Sequence, residues 1–300
     1  MNRIGPKDVA HTLRYIFGHP LNRKHPAATL GRVLRWQIGS RLMPGAVAVP
    51  FVDDTRLLVK RGMTGATGNV YCGLHEFEDM ALVLHALRPG DVFVDAGANV
   101  GAYTVLAAGG AGSHVVAAEP VATTFARLLD NIRINNLTSL VEPHQVALGA
   151  TVGVTEFSLT LDTVNHIVTE AEASTQRQTI PISTLDTLLG GRSPALMKID
   201  VEGYETPVIA GAQHALHSPN LLGIIMEFNG SGRRYGYDEA ALRRTMLEMG
   251  FEPFQYEPYT RSLHRANGVD SANTLYVRNI EKLAERVKSA PKHFVRGVAL

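Results

Sequence analysis

A chain of 300 residues, 45% hydrophobic and 19% charged, can bury a large core without disulfides or a structural metal. Its formal net charge of +1 argues against a global field that attracts nucleic acid, and a single cysteine, Cys72, excludes an internal disulfide. The N-terminus lacks the apolar segment of a signal peptide, and no apolar run approaches the roughly 18 residues that span a bilayer. We therefore expect a soluble, cytoplasmic protein without a nucleic-acid partner or a transmembrane segment.

The first 90 residues predict an N-terminal extension that caps one side of the main domain. Its elements are expected in the order of one or two helices within 1–45, a hairpin at 46–60, a loop at 61–69 and a helix at 75–87. The segment 29–42 carries apolar residues at helical spacing and three arginines elsewhere on the wheel. We expect it to dock on the domain, and peripheral contact with an anionic membrane is the alternative.

From residue 91 onward, short apolar strands alternate with helical segments, which is typical of a parallel sheet covered on both faces. Seven strands are predicted, at 92–96, 114–119, 141–147, 195–200, 222–228, 252–258 and 273–278, with helices at 101–109, 121–135, 203–216 and 238–249. Only a loop separates the last two strands, which favours an antiparallel final pair. The pattern predicts one α/β domain over 91–280 with an insertion of added strands at 151–185. The tail 281–300 is expected to be a short basic helix followed by disorder.

The stretch "DVFVDAGANVGAYTVLAA" (91–108) is the most specific in the chain. A strand ends at Asp95, a turn with Gly97, Asn99 and Gly101 follows, and a helix begins. Glycines let the backbone approach a ligand closely, and the free N–H groups at a helix start bind anionic groups such as a carboxylate. A nicotinamide dehydrogenase would show G-x-G-x-x-G, whereas an acidic residue before G-x-x-x-G suits a ligand with an amino group. The motif therefore favours S-adenosylmethionine (SAM) over NAD.

Three further positions are candidates for cofactor contacts. Glu119 ends the second strand, 18 residues beyond Gly101, where an acid accepts hydrogen bonds from both ribose hydroxyls in NAD and SAM folds alike. Gln145, or the backbone at 146–148, is the candidate for the adenine. Glu76 or Glu78, on the helix before the first strand, is the candidate partner of the methionine ammonium.

The stretch "LMKIDVEGYE" (196–205) places three charges at the end of an apolar strand. Ligands of open parallel sheets bind outside the carboxyl ends of the strands, so Asp200 is expected at the mouth of the site. Because a lone buried charge is costly, Asp200 should have a partner, and Lys198 is the local candidate. A purely structural Lys–Asp pair, with Glu202 at a helix start where an acid is favoured, is the alternative.

Together these residues resemble a known family. "FVDAGANVGAYTVLA", "AAEP", "VALG", "TLDTLL" and "LMKIDVEGYE" are similar to the FkbM family of SAM-dependent methyltransferases over roughly residues 75–230. The resemblance implies a Rossmann-like, seven-stranded sheet with an antiparallel last strand. It also implies methyl transfer, usually to a hydroxyl of a sugar or natural product, although the acceptors of the family vary widely.

We interpret the chain as a SAM-dependent O-methyltransferase acting on a sugar, glycolipid or natural-product hydroxyl. Asp200 is the first candidate for the base, directly or through water, with Glu202 and Lys198 orienting the acceptor and Glu227 and His166 contacting it. Asp200, Glu202 and Glu227 are also a weaker candidate site for Mg²⁺, because catechol-type sites space their ligands differently. The rival interpretations are an NAD-dependent oxidoreductase and a non-catalytic SAM-binding protein.

Overall fold

The computed structural model describes residues 6–158, 167, 177–266 and 273–300. The helices are α1 Pro6–Gly18, α2 Pro26–Leu42, α3 Thr64–Cys72, α4 Phe77–Ala86, α5 Ala102–Val105, α6 Ala122–Ile134, α7 Leu185–Leu189, α8 Glu205–Ala210, α9 Gln213–His217, α10 Glu239–Glu248 and α11 Ile280–Lys288. The strands are β1 Val47–Pro50, β2 Arg56–Val59, β3 Val92–Ala96, β4 His114–Ala118, β5 Val141–His144, β6 Ala147–Leu148, β7 Gly153–Ser158, β8 Arg177–Ser183, β9 Leu196–Ile199, β10 Gly223–Met226, β11 Glu252–Glu257, β12 Ser262–Arg265, β13 Thr274–Val277, β14 Phe294–Val295 and β15 Val298–Ala299.

The main sheet has eight strands in the order β12-β11-β13-β10-β9-β3-β4-β5. The strands from β5 to β10 are parallel neighbours, and β13 runs antiparallel to both β10 and β11. This is the Rossmann-like, mostly parallel sheet with an antiparallel last strand that the sequence predicts. The chain order reverses between β3 and β9, and the carboxyl ends of these two strands therefore border the crevice where such sheets bind ligands.

Helices cover both faces of this sheet. One core cluster packs α4, α5, α6 and α11 on one face, and a second packs α7 to α10 on the other. All residues of β9 and β10 are buried as a result, which accounts for their nearly continuous apolar sequences. Lys198 is the one charged residue of these two strands, and its side chain is 5% exposed.

Four segments differ from the sequence-based expectation. The predicted strand 141–147 is divided into β5, at the edge of the main sheet, and β6, which pairs with β8 in a separate three-stranded sheet. Residues 64–72 form helix α3 rather than a loop, because buried side chains such as Val70 and Cys72 outweigh the poor helix propensity of its two glycines. The segment after β11 contains the short edge strand β12, which pairs with β11 and makes the sheet eight-stranded. The predicted helix 203–216 is divided into α8 and α9 at Gly211, where a Cβ would lie 2.1 Å from the carbonyl oxygen of Gly149.

The C-terminal tail is ordered, so the expected disorder after its helix is wrong. Strands β14 and β15 form a hairpin, and Val295 is fully buried. Arg296 donates hydrogen bonds to the carbonyls of Asn69 and Tyr71 at 2.8 and 2.7 Å. The tail thereby fastens helix α3, a contact between distant parts of the chain that local sequence patterns do not reveal.

The N-terminal hairpin and the insertion are formed as paired strands. β1 pairs with β2 as predicted, and in the insertion β7 pairs with β8, whose other edge pairs with β6 from outside the insertion. Of the predicted strand 165–170, only Ile167 lies within the described residues, where it bridges to Phe157. No helix in the described part of the chain is both long and apolar enough to cross a membrane.

Candidate active site

A cavity of 590 Å³ opens at the carboxyl ends of β3, β4, β9 and β10. Its volume lies within the roughly 300–1,000 Å³ that is usual for small-molecule sites. Residues that follow these strands line one side of the cavity, and residues of α1 and α3 line the other. The N-terminal extension therefore closes over the crevice at the centre of the sheet.

The glycine turn after β3 packs directly against the end of β9. Gly97 has a φ of +81°, and a Cβ on it would lie 1.8 Å from the carbonyl oxygen of Asp200. Gly101, with a φ of +89°, packs against Leu128 of α6. A Cβ on Gly101 would lie 2.5 Å from the Leu128 Cδ1. Gly97 and Asn99 line the cavity, whereas Gly101 brings α5 and α6 together behind it. The two glycines thus allow two different close contacts.

Asp95 lies beneath this turn rather than in the cavity wall. It is 1% exposed, and its Oδ2 accepts a hydrogen bond of 2.6 Å from the Thr104 hydroxyl. Burial raises the pKa of Asp95 to about 6, although the Thr104 hydrogen bond and the Lys198 charge oppose that shift. Asp95 consequently holds the start of α5 in position. Thr104 was not anticipated from the sequence.

Glu119 lines the cavity and joins the ends of β3 and β4. Its Oε2 accepts the N–H of Asn99 at 3.0 Å, and its Oε1 accepts the N–H of Val121 at 2.9 Å. Burial raises the pKa of Glu119 to about 7, although these two N–H donors lower it. Residues 146–148 also line the cavity, but Gln145 is exposed and is not among the lining residues. Of the two candidates for the adenine, the structure brings only the segment 146–148 to the cavity.

Lys198 and Asp200 form the ion pair expected from the sequence. The Lys198 Nζ lies 2.6 Å from Asp200 Oδ2 and 4.8 Å from the centroid of the Tyr103 ring. Burial by itself would lower the pKa of Lys198, but the charges of Asp200 and Glu76 outweigh it and raise the pKa. Burial would likewise raise the pKa of Asp200, and the adjacent ammonium reverses that effect and lowers it.

Two further acidic side chains, Glu202 and Glu227, converge on Asp200. We call the three residues the carboxylate cluster. Ligand atoms from all three lie within 4.8 Å of one another. Burial and the Asp200 charge raise the pKa of Glu227 to about 9, and the same two causes raise that of Glu202 to about 7. At neutral pH, the Asp200–Glu227 pair therefore holds one proton between its two carboxyl groups. Asn229, which sequence reasoning missed, donates to Glu227 Oε2 at 2.9 Å.

Glu76 also lines the cavity. Its Oε2 accepts the Tyr103 hydroxyl at 2.6 Å, and its Oε1 accepts the Asn273 amide at 3.1 Å. Both donors are neutral, and sequence reasoning identified neither of them. Glu78, the alternative candidate on the same helix, is exposed.

Aromatic and imidazole groups of the N-terminal extension complete the wall. The Tyr15 hydroxyl lies 3.0 Å from His75 Nδ1, and both residues line the cavity with Ile16 and Tyr71. On the insertion side, Tyr204 and Phe157 contribute. His166, a candidate for the acceptor side, lies outside the described residues.

The crevice and its lining define an α/β enzyme of the Rossmann-like class. Comparison with known families agrees with this class. The model of the FkbM methyltransferase domain matches residues 95–253, more than half of the chain. The chain therefore belongs to the FkbM family and is a SAM-dependent methyltransferase. No curated protein matches it at a significant level.

Solved structures are similar to the chain only distantly. The C-terminal domain of a precorrin-6Y C5,15-methyltransferase from Rhodobacter capsulatus is 16% identical, with a TM-score of 0.38 over 68% of this chain and 88% of that chain. A SAM-dependent O-methyltransferase from Thermotoga maritima is 11% identical, with a TM-score of 0.38 over 69% of this chain and 66% of that chain.

Proposed function

We propose that this methyltransferase is an O-methyltransferase whose acceptor is a hydroxyl of a sugar, glycolipid or natural product. The observation that carries the proposal is Asp200, which is paired with the buried Lys198 and lines the same cavity as Gly97 and Glu119. A hydroxyl loses its proton when its oxygen is methylated, and a carboxylate that remains ionised can accept that proton. Asp200 is such a carboxylate, because Lys198 lowers its pKa.

The cofactor half of the cavity fits SAM. Each oxygen of Glu119 accepts one N–H and keeps a second lone pair, so both can accept a ribose hydroxyl. Val146 and Leu148 supply an apolar wall for the adenine. Among the described residues, Tyr103 and Asn273 donate hydrogen bonds to Glu76, and both are neutral, so its carboxylate can also contact the methionine ammonium. SAM supplies a methyl group that is already activated on a sulfonium.

The protein's remaining tasks are alignment and proton removal. Alignment of the acceptor oxygen with the S–CH₃ bond is worth about 7–11 kcal/mol, and general base catalysis adds about 10²–10⁴-fold. Asp200 accepts the proton directly or through a water molecule. Glu227 and Glu202 line the cavity beside Asp200, where they contact and orient the acceptor. The hydroxyl of Tyr15 and the imidazole of His75 present polar groups to a hydroxyl-bearing ring.

Divalent cation binding at the carboxylate cluster is less favourable than its geometry suggests. Three ionised carboxylates would suit Mg²⁺. However, the Lys198 ammonium lies 2.6 Å from Asp200 and already offsets the charge of that carboxylate. We therefore assign proton removal to Asp200 without a metal.

The proposal is tested first by calorimetric titration of the protein with S-adenosylhomocysteine and, separately, with NADH. Binding of the first ligand alone, weakened in Glu119→Gln, is the expected result.

The protein is then incubated with SAM carrying a ¹³C-labelled methyl group and with panels of sugars, glycolipids and hydroxylated natural products. NMR of the products distinguishes a methoxy group from an N-methyl group. Labelled methyl found on nitrogen only would contradict the proposed acceptor class.

A further inference from the structure

The charges of this protein are distributed unevenly along the chain. Residues 1–52 contain eight of the 29 lysines and arginines but only one of the 28 acidic residues, Asp8. This segment therefore carries a charge of +7 and the remainder −6, although the whole chain has a formal net charge of only +1. The excess positive charge belongs to α1, α2 and the residues around them.

Helix α2 also exposes an apolar ridge, which we define as Leu30, Leu34, Ile38 and Leu42. These four side chains are 48, 51, 59 and 77% exposed. They follow one another at four-residue intervals and therefore lie along one side of the helix. The side that packs on the domain carries Thr29, Val33 and Trp36 instead. The ridge is thus not part of the core, and a row of exposed apolar residues of this kind marks an interaction surface.

A groove borders the ridge on α2, and we call it the arginine groove. It has a volume of 950 Å³ between α2 and β1, and Arg32, Arg35 and Arg296 line it together with apolar residues such as Trp36. In the part of the chain that the structure describes, no carboxylate forms an ion pair with any of these arginines. Burial and the charge of Arg32 lower the pKa of Arg296 to about 9. Arg296 and Arg32 donate hydrogen bonds to the carbonyl of Tyr71 and to Asn22 Oδ1, respectively, whereas Arg35 is exposed. Arg35 is therefore the cation of the groove that can reach an anion in solution.

We propose that α2 docks this enzyme on the surface of an anionic lipid bilayer, with the apolar ridge at the boundary of headgroups and acyl chains and the arginines on lipid phosphates. An apolar face flanked by basic residues is the pattern of interfacial helices. A second copy of the chain fits the ridge poorly, because a two-fold interface would oppose two surfaces that each carry the same excess of positive charge. The bilayer supplies the complementary charge and an apolar layer in one partner.

Docking of this kind brings the cavity to the membrane surface. Helix α1 contacts α2, and its residues His11, Thr12 and Tyr15 are both exposed and part of the cavity wall. Val9 and Leu13 of the same helix are also exposed apolar residues. If the proposed function is correct, an acceptor carried by a lipid would meet the cavity without leaving the bilayer. This consequence rests on the proposed function, whereas membrane binding itself does not.

Flotation of the full chain with vesicles tests the docking directly. We expect the protein to float with vesicles of equal parts phosphatidylcholine and phosphatidylglycerol, to remain unbound with phosphatidylcholine alone, and to dissociate as salt is added. The double variant Leu34→Gln, Ile38→Gln should lose binding. Arg35→Glu should weaken it at least about fivefold, since one basic residue near an anionic surface is worth that factor. Leu247→Gln and Lys288→Glu change exposed residues on other helices and should bind as the wild type does.

Three outcomes would overturn the proposal. The first is the absence of binding to anionic vesicles by a wild-type chain that still binds S-adenosylhomocysteine. The second is binding that neither the ridge variant nor Arg35→Glu weakens more than the two controls. The third is a dimer in sedimentation equilibrium that the ridge variant dissociates, since the ridge would then be covered by a second copy. None of these measurements uses an acceptor, so a failure here is distinct from failure of the proposed function.

Discussion

Tyr103 donates its hydroxyl to the Glu76 carboxylate at 2.6 Å and places its ring 4.8 Å from the Lys198 ammonium. One side chain thus connects the start of α4, helix α5 and the buried cation of β9. Burial together with the negative charges of Glu76 and Asp79 keeps the pKa of Tyr103 well above its ordinary value, so the hydroxyl remains a donor at any pH of interest. The two sides of the cavity are joined through this residue.

Replacement of Tyr103 by phenylalanine should separate the hydrogen bond from the ring contact. We expect Tyr103→Phe to lower the free energy of unfolding by about 1.5–3 kcal/mol, the usual value of a hydrogen bond to a charged group. The affinity for S-adenosylhomocysteine should fall about fivefold, because Glu76 loses the donor that orients it. Thermal unfolding and calorimetry measure the two effects. Tyr259→Phe is the matched control, since it removes a hydrogen bond to Pro20 away from the cavity. If both variants lose the same affinity, the Tyr103 hydroxyl has no specific role in cofactor binding.

Asp200→Asn should abolish turnover while the cofactor still binds. The amide cannot accept the acceptor proton, so kcat should fall about 10²–10⁴-fold. Asparagine keeps an oxygen near Lys198, and S-adenosylhomocysteine affinity and thermal unfolding show whether the site remains intact. Glu202→Gln, in the same carboxylate cluster, should reduce kcat far less. Unchanged turnover in Asp200→Asn would remove Asp200 as the base, and an equal loss in Glu202→Gln would move that role to Glu202.

The raised pKa of Glu227 should appear as a dependence of stability on pH. Its ordinary pKa is 4.5 and its folded pKa is about 9, so the folded state holds a proton that the unfolded state has released. The contribution of this carboxyl group to the free energy of unfolding is therefore fully present below pH 4.5, and it is lost as the pH rises to about 9. Glu227→Gln mimics the protonated form and should gain stability relative to wild type across that window.

Denaturant unfolding of both proteins at a series of pH values measures the effect. Glu248→Gln, an exposed position on α10, serves as the control. Parallel pH profiles for wild type and Glu227→Gln would show that Glu227 is not protonated at neutral pH.

Local patterns predicted the parts of this protein that local forces determine. Apolar runs located the central strands β3, β4, β9 and β10, since a strand covered on both faces must be apolar, and the charges in "KID" predicted the Lys198–Asp200 pair. The contacts of Glu76 were inaccessible to such reasoning, because its donors Tyr103 and Asn273 are 27 and 197 residues away in the chain. Helix α3 and the tail hairpin were missed for the same reason, because packing between distant segments stabilises both.

The close contact between Gly97 and the end of β9 can be tested with a pair of glycine variants. Gly97 and Gly90 have similar φ values of +81° and +87°, but only a Cβ at residue 97 would collide with backbone, while nothing lies within 4 Å of one at residue 90. Gly90→Ala should therefore lose only the roughly 1–2 kcal/mol of left-handed strain. Gly97→Ala should lose more stability and also its affinity for S-adenosylhomocysteine, because the turn and Asp200 must move apart. If thermal unfolding and calorimetry show the same losses in both variants, the packing of the glycine turn on β9 does not shape the cofactor site.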